Sequence, residues 1–125
     1  MKPLLALFCL LAFISPLQAA DDQMSNWLVG KWITSFNQPL YQGGSAKVAI
    51  TAIYTSNGQY EMYEIVSFST GGGGQQHANG TWDISNGILT TSGNSLKFDD
   101  GDSVQIDFAG PDRYRFHGVD WVRSR

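Results

Sequence analysis

The sequence predicts an all-β protein: a small antiparallel up-and-down β-barrel of about eight strands that follows an N-terminal signal peptide. Three observations lead to this prediction. Short segments alternate apolar and polar residues with the period of two that is typical of strands. Turn-forming residues separate these segments at short, regular intervals. After the first 20 residues, no stretch repeats its apolar residues with the period of an amphipathic helix.

Residues 1–20 differ from the rest of the chain. Lys2 provides a positive start, residues 4–14 form an unbroken apolar run, and small residues follow at Ala19 and Ala20. This order of charge, apolar core and small residues is typical of a secretory signal peptide. The apolar run is shorter than the roughly 18 residues of a membrane-spanning helix. We therefore expect cleavage after Ala19 or Ala20, which leaves one domain, residues 21–125, with no membrane span.

Composition and charge exclude several classes of function. The only cysteine, Cys9, lies in the predicted signal, so the mature domain has no disulfide although exported proteins can form them. The mature domain has 7 Lys and Arg against 11 Asp and Glu, with no basic stripe. Such a domain is not expected to bind nucleic acid or an anionic membrane surface. We expect a periplasmic or secreted protein that is stabilised by the packing of its aromatic side chains.

The domain begins with a polar lead and one strand. Residues 21–26 are polar, and one helical turn is expected at residues 27–29. Residues 30–36 then alternate as the first strand. Residues 37–44 contain a proline and two glycines and are predicted to be a loop.

The clearest signal is a hairpin between residues 47–55 and residues 59–68. Asn57 and Gly58 separate the two strands, and this pair favours a tight type I′ turn. Alternation divides each strand into two faces. The predicted inner face carries Val48, Ile50, Ala52 and Tyr54 on the first strand and Tyr60, Met62, Glu64, Val66 and Phe68 on the second.

The second half of the domain continues the pattern. Residues 69–79 contain four consecutive glycines and are predicted to be a long flexible loop. A second hairpin pairs residues 81–85 with residues 88–91 across Asn86 and Gly87. The remaining predicted segments are a short apolar stretch at 96–98, an acidic turn at 99–102, a strand at 103–108, a turn at 110–112, and strands at 113–116 and 119–125.

A sandwich and a barrel both fit this set of strands. Both Asn-Gly turns connect neighbouring segments, which favours a meander. Closing a meander into a barrel removes its exposed edge strands. The barrel is therefore the preferred prediction, with Val104, Ile106 and Phe108 pointing inward.

Three motifs are shared with a known group of barrels. The first strand opens with Gly-Lys-Trp at residues 30–32, preceded by Leu28 and Val29. Residues 80–84 read Gly-Thr-Trp-Asp-Ile, and the closing strand, residues 119–125, carries two arginines. Together these motifs resemble the calycin group, especially the small bacterial lipocalin-like domains. The Leu-x-Gly-Lys-Trp start also resembles avidin-type barrels, but no matching set of polar ligand-binding residues is present, so no biotin site is inferred.

The resemblance implies a structural role for three residues. Trp32, introduced by Gly30, would plug one end of the barrel, and an arginine of the closing strand would lie across its ring. Arg123 is the first candidate for this arginine and Arg125 the second. A guanidinium over an indole contributes about 0.5–2 kcal/mol, depending on burial. The chain departs from typical lipocalins because it is shorter, lacks their disulfide, and has no helix after the barrel.

The candidate ligand-binding residues are those expected on the inner face: Tyr54, Tyr60, Met62, Glu64, Trp82, Phe116 and Trp121. As a group they either line an apolar cavity or fill the barrel, since eight strands enclose only enough space for side chains or one small ligand. Glu64 stands out because a carboxylate beside Met62 and Val66 is costly unless it is paired. We expect it to form a polar floor in the cavity. The alternative is that it lies near the barrel mouth and is solvated.

No catalytic residue, metal ligand or cofactor is predicted. His77, expected in the glycine-rich loop, and His117, expected to face outward, do not converge with other metal ligands. The glycine run lacks the Lys-Ser/Thr ending of a phosphate loop. Residues 99–102 are acidic but lack the spacing of a calcium loop.

Three functions remain open from the sequence. The first is an exported lipocalin-like module that binds a small apolar or amphipathic ligand inside the barrel. The second is a periplasmic interaction or inhibitor module with a filled barrel, which contacts an envelope protein through Tyr41, Tyr63 and the glycine-rich loop. The third is a cofactor-free enzyme, for example an isomerase, that uses Glu64.

Overall fold

The computed structural model describes residues 16–94, 102–116 and 118–124. The predicted all-β fold is confirmed. One helix and nine strands follow in chain order: α1 (Pro16–Leu28), β1 (Gly30–Pro39), β2 (Ser45–Tyr54), β3 (Gln59–Phe68), β4 (Gly73–Ser85), β5 (Ile88–Asn94), β6 (Asp102–Gln105), β7 (Asp107–Phe108), β8 (Arg113–Phe116) and β9 (Val119–Arg123). The apolar stretch at 96–98, most of the acidic turn, Cys9, His117 and Arg125 lie outside the described residues.

The strands form an antiparallel, nearly closed up-and-down barrel. Their order is β6-β5-β4-β3-β2-β1-β9-β8-β7, so β6 and β7 are the two ends of the sheet. Only Ile106 separates β6 from β7, and its N–H donates to the carbonyl of Gly87 at 3.2 Å. The single strand predicted at 103–108 therefore pairs with β5 through its first part and with β8 through its second. This change of partner closes the barrel and accounts for nine strands where about eight were expected.

The two Asn-Gly hairpins adopt different turns. At the β4–β5 hairpin, Ser85 pairs with Ile88, and Asn86 and Gly87 have φ values of 56° and 74°. Positive φ at both central residues is the type I′ geometry that the sequence predicted.

The type I′ prediction is wrong at the β2–β3 hairpin. There Tyr54 pairs with Tyr60, and Gly58 has φ 85° whereas Asn57 is not in the left-handed region. The N–H of Gly58 donates to the carbonyl of Thr55, and the hydroxyl of Thr55 accepts from the N–H of Gln59 at 3.2 Å. These bonds stabilise a longer loop in which only the glycine needs positive φ.

The predicted loop at residues 69–79 is mostly strand, which corrects the sequence analysis. β4 begins at Gly73 and pairs with β3 from its first residue. Only residues 69–72 form the turn, where Gly71 and Gly72 have φ values of 102° and 81°. Ladder hydrogen bonds to β3 thus overcome the low strand propensity of Gly73 and Gly74. His77, which was expected in the loop, lies on β4.

A helix of 13 residues replaces the single helical turn that was expected. Its last residue, Leu28, is buried, and Met24 packs against the core. The carboxylate of Asp21 accepts hydrogen bonds from the N–H groups of Asn86 and Gly87, both at 2.8 Å. These contacts hold α1 against one end of the barrel, which we call the helix-capped end.

The helix crosses the boundary between the predicted signal and the domain. Residues 18–20 are exposed, whereas Asp21 is only 9% exposed. Asp21, Met24 and Leu28, which contact the barrel, belong to the segment that remains after the predicted cleavage. Within the described residues, no helix has the length and apolar character needed to cross a bilayer.

The predicted inner faces match the observed burial along most strands. Val48, Ala52 and Tyr54 of β2 are buried, as are Tyr60 and Met62 of β3. Phe68 was also expected inside but is 40% exposed, since it is the last residue of β3.

We predict that Gly80→Ala destabilises the barrel by more than about 2 kcal/mol. Gly80 of β4 pairs with Gly93 of β5, and a methyl group on Gly80 would lie 2.0 Å from the carbonyl oxygen of Ser92. Urea denaturation would measure the change. Gly74→Ala, also on β4 but with open space at the Cβ position, is the control and should change stability by less than about 0.5 kcal/mol. Equal stability of both variants would contradict a close β4–β5 approach.

Candidate functional site

The helix-capped end is closed by an indole beneath a guanidinium. Trp32 is fully buried, and its Nε1 donates to the carbonyl of Leu28 at 2.7 Å. The Cζ of Arg123 lies 4.4 Å from the Trp32 ring centroid. Gly30 has φ 131°, and a methyl group there would lie 2.5 Å from Arg123 Nη1. Glycine at position 30 is therefore needed for the arginine to reach its place over the ring.

Arg123 also satisfies backbone carbonyls around this end. Its Nη1 donates to the carbonyl of Val29 at 3.0 Å, and its Nη2 donates to the carbonyls of Trp27 and Pro111. Its Nε lies 3.1 Å from Oδ1 of Asp112. The guanidinium is thus fully engaged in closing the barrel.

Aromatic rings fill the interior next to this closure. Tyr114 meets Trp32 edge to face with ring centroids 4.6 Å apart and stacks on Trp121 at 5.8 Å. Tyr54 stacks on Tyr60 at 6.2 Å and meets Trp82 edge to face at 5.7 Å. Tyr54, Tyr60 and Trp82, three of the predicted ligand-binding residues, therefore belong to a packed ring cluster at the helix-capped end.

The opposite end, which we call the mouth, has a different inner face. It is formed by the last residues of β1 and β3 and the first residues of β2, β4 and β9. Its half-buried inner residues are Phe36, Ile50, Glu64, Val66 and Val119. Met62, one inner position deeper on β3, is buried, and so is Phe116, the last residue of β8, which pairs with Val119. The inner face at this end therefore combines half-buried side chains with buried ones, such as Val48 and Ala46 of β2.

Glu64 is a carboxylate in the inner row of β3. It pairs with Ile50 of β2 and Gln76 of β4, and its neighbours along the inner face of β3 are Met62 and Val66. No described residue forms an ion pair or hydrogen bond with it. Burial in this apolar setting raises the pKa of Glu64. The structure places Glu64 at the mouth, away from the ring cluster that forms the floor.

Two buried polar atoms of the interior lack hydrogen-bond partners in the described residues. Thr91 of β5 is 2% exposed and Trp121 of β9 is 5% exposed. In residues 16–94, 102–116 and 118–124, neither Thr91 Oγ1 nor Trp121 Nε1 finds a hydrogen-bond partner. Tyr114 is also buried, and burial together with the neighbouring Tyr54 hydroxyl raises the pKa of Tyr114 well above its usual value. Buried polar groups are normally paired, so Thr91 and Trp121 are unusual.

Thr91 and Tyr114, whose polar side chains are buried inside the barrel, were not among the candidate residues predicted from the sequence. Both lie on the inner face of short strands whose alternation was recognised at residues 88–91 and 113–116. Alternation along β5 puts Thr91 on the same face as the apolar Leu89. A hydroxyl on a buried face requires a partner, so this pattern could have indicated a buried polar residue.

The outer wall carries a row of exposed apolar and aromatic side chains. Ile33 pairs with Val122, and both are exposed. Two strands away, Tyr63 is exposed and stacks on His77 with ring centroids 4.5 Å apart. A groove of about 380 Å³ runs beside Ile33 and Val122. Tyr41 was also expected to be exposed, and its side chain is fully exposed.

We predict that Thr91→Val stabilises the protein by about 1 kcal/mol, because it replaces an unpaired buried hydroxyl with a methyl group of the same shape. Thr34→Val is the control. Its hydroxyl is also buried but donates to the carbonyl of Asp120 at 2.7 Å, so its loss should cost about 1 kcal/mol. Urea denaturation measures the change in the free energy of unfolding, which should be positive for Thr91→Val and negative for Thr34→Val. A loss of stability in Thr91→Val would show that its hydroxyl is paired in solution.

We predict that Glu64→Gln raises stability at neutral pH and that the gain disappears in acid. The folded protein holds the Glu64 proton to a higher pH than the unfolded chain, where the ordinary pKa is 4.5. The contribution of Glu64 to the free energy of unfolding is therefore fully present below pH 4.5, and it is lost as the pH rises through the raised pKa of the folded protein. Denaturation across this range measures the difference. Glu61→Gln, on the outer face of β3, is the control for net charge. An equal gain in stability in Glu61→Gln would show that the gain in Glu64→Gln comes from net charge and not from burial.

The nearly closed antiparallel barrel is compatible with a calycin-like fold. In comparisons with protein families and with curated proteins, no family model and no curated protein matches the chain.

Proposed function

We propose that this chain is an exported, lipocalin-like binding protein that takes a small apolar or amphipathic molecule into the barrel through the mouth. One observation carries the proposal: several apolar side chains on the inner face toward the mouth are half-buried, and Glu64 lies among them. Ligand sites typically combine such an apolar wall with few polar groups.

The closure of the opposite end supports entry from the mouth. Trp32 and Arg123 close the helix-capped end, where further rings pack. Short side chains lie on the inner face between the two ends: Ala52 pairs with Trp32 and Met62, and Met62 also pairs with Ala78. A barrel of this size can hold one small ligand.

Export is part of the proposal and derives from the charge, apolar core and small residues of positions 1–20. Cleavage after Ala19 or Ala20 would retain Asp21 and its two hydrogen bonds to the β4–β5 turn. The mature protein would then be periplasmic or secreted and keep its helix cap.

The test combines native mass spectrometry of gently purified protein with titration of N-phenylnaphthylamine, an uncharged apolar dye whose fluorescence rises in apolar sites. We expect either a co-purified small molecule or saturable dye binding. Glu64→Gln should change dye affinity because it alters the polarity of the mouth, whereas the outer-face variant Glu61→Gln should not. A single apo mass with no dye binding would contradict the proposal.

A second function is favoured by the outer wall. Ile33, Val122, Tyr63 and Ile65 are all exposed, and clusters of exposed apolar side chains are typical of protein-binding surfaces. In this alternative the barrel is filled and the protein binds an envelope partner. Pull-down from envelope extract distinguishes the two functions, since only this one requires a stable protein complex that is lost in Ile33→Ser.

A further inference from the structure

We propose that the outer wall formed by β9, β1, β2, β3 and β4 is the contact surface of a symmetric dimer, so that a second copy of this chain covers its exposed apolar side chains. The proposal goes beyond ligand binding in the barrel and does not depend on it. The observation behind it is that neighbouring cross-strand rows of this wall carry complementary side chains on the two sides of β2. Such self-complementarity is what a two-fold symmetric interface requires.

The middle row of the wall crosses five strands. In order from β9 to β4, its residues are Val122, Ile33, Thr51, Tyr63 and His77. On one side of Thr51, the exposed Ile33 and Val122 lie beside a groove of about 380 Å³. On the other side, the exposed rings of Tyr63 and His77 stack with centroids 4.5 Å apart. One half of the row is therefore a grooved aliphatic surface, and the other half is a pair of rings.

The next row toward the helix-capped end carries opposite charges. Lys31 of β1 and Glu61 of β3 both pair with Ile53 of β2. Both charged side chains are exposed, and no ion pair joins them in the described parts of the chain. The carboxylate of Glu61 accepts a hydrogen bond from the hydroxyl of Tyr63 at 2.9 Å and has further acceptor sites for a cation. This row is therefore positive on one side of β2 and negative on the other.

A two-fold axis between two copies, running along β2, brings the complementary halves of both rows together. Such an axis exchanges β1 with β3 and β9 with β4, and it keeps each row opposite the same row of the other copy. Lys31 then faces Glu61 of the second copy, and the rings of Tyr63 and His77 lie over the groove of the second copy. Each contact occurs twice, as in every isologous interface.

The other orientation that keeps the strands of the two walls aligned lacks this fit. Its axis crosses the strands at Thr51, so each strand faces its own copy and the rows on the two sides of Thr51 are exchanged. Lys31 would then face Ser35, and Glu61 would face Ile65. Both charged groups would lose water without gaining an opposite charge, which is costly. Charge complementarity therefore selects the axis along β2.

The size of the wall indicates a weak dimer. Its third row, toward the mouth, contains Ala49 on β2. Five strands and three rows cover roughly 20 Å by 14 Å, less than the roughly 800 Å² that each partner of a standard interface buries. Lys47 follows Ala49 on the outer face of β2, and the two copies of this lysine would repel each other across the axis. The contact therefore ends before Lys47, and we expect the dimer to form reversibly.

The test is a charge exchange, measured by sedimentation velocity of the mature protein from about 10 µM to 1 mM. We expect the wild type to dimerise over this range. Lys31→Glu and Glu61→Lys each place like charges opposite each other twice, so each variant alone should dimerise at least about 10-fold more weakly. An equal mixture of the two variants restores both opposite-charge pairs. It should therefore associate with an affinity within about 3-fold of the wild type.

Asp83→Lys is the matched control for net charge. It makes the same change in charge as Glu61→Lys, at an exposed position of β4 beyond the three rows. It should dimerise as the wild type does. Its mixture with Lys31→Glu has the same charges as the test mixture, but it should show no association beyond that of the two proteins measured separately.

A measurement on the wild type alone does not depend on the folding of any variant. The amide signals of Thr51 and Tyr63 should shift with protein concentration in ¹⁵N-correlated NMR spectra. The signal of Thr90, on the outer face of β5, should not shift because β5 lies outside the proposed contact. Circular dichroism checks that each variant is folded.

The possible outcomes separate this inference from the proposed function. A wild type that stays monomeric at about 1 mM would overturn the dimer, whether or not an envelope protein binds the wall, and would leave dye binding inside the barrel untouched. Dimers that ignore the charge exchanges, or a test mixture that does not associate, would overturn this arrangement of the two copies. Recovery in the mixture together with a protein that binds no dye would support the dimer and contradict the proposed binding function.

Discussion

The contact between Arg123 and Trp32 is the constraint on which the barrel depends. Because the guanidinium lies 4.4 Å from the indole centroid and donates to carbonyls before β1 and before β8, it ties together segments far apart in the chain. The contact also requires glycine at position 30. The cation, the indole and α1 close this end, and the opposite end is the one through which we propose that a ligand enters.

Rings pack the interior beside this closure, where Tyr114 contacts both Trp32 and Trp121. The buried polar groups of this interior differ in their partners. The indole N–H of Trp32 donates to a backbone carbonyl, whereas Thr91 Oγ1 and Trp121 Nε1 find no partner in the described residues. Unpaired polar groups in an apolar interior are costly, so Thr91 and Trp121 lower the stability that the packing provides.

The points where sequence reasoning failed share one cause. The Asn57-Gly58 turn, the glycine-rich start of β4 and the helix α1 all depend on contacts with residues outside the segment itself. Asn-Gly was interpreted by local preference, but the Tyr54–Tyr60 register requires a longer loop. Gly73 and Gly74 are poor strand residues, yet β3 provides their hydrogen bonds. In each case tertiary contacts outweigh local propensity.

The resemblance to calycin-type barrels implied the pairing of Arg123 with Trp32. By itself, the sequence determined the all-β class, the meander order and the inner faces of most strands. These follow from alternation with a period of two and from turn residues, which are local properties of the chain. Only the tertiary structure decided that residues 102–108 divide between two partners, that Glu64 lies at the mouth, and that Thr91 and Trp121 are buried without partners. Closure and hydrogen-bond satisfaction depend on which distant strands meet, and alternation along one strand carries no information about that.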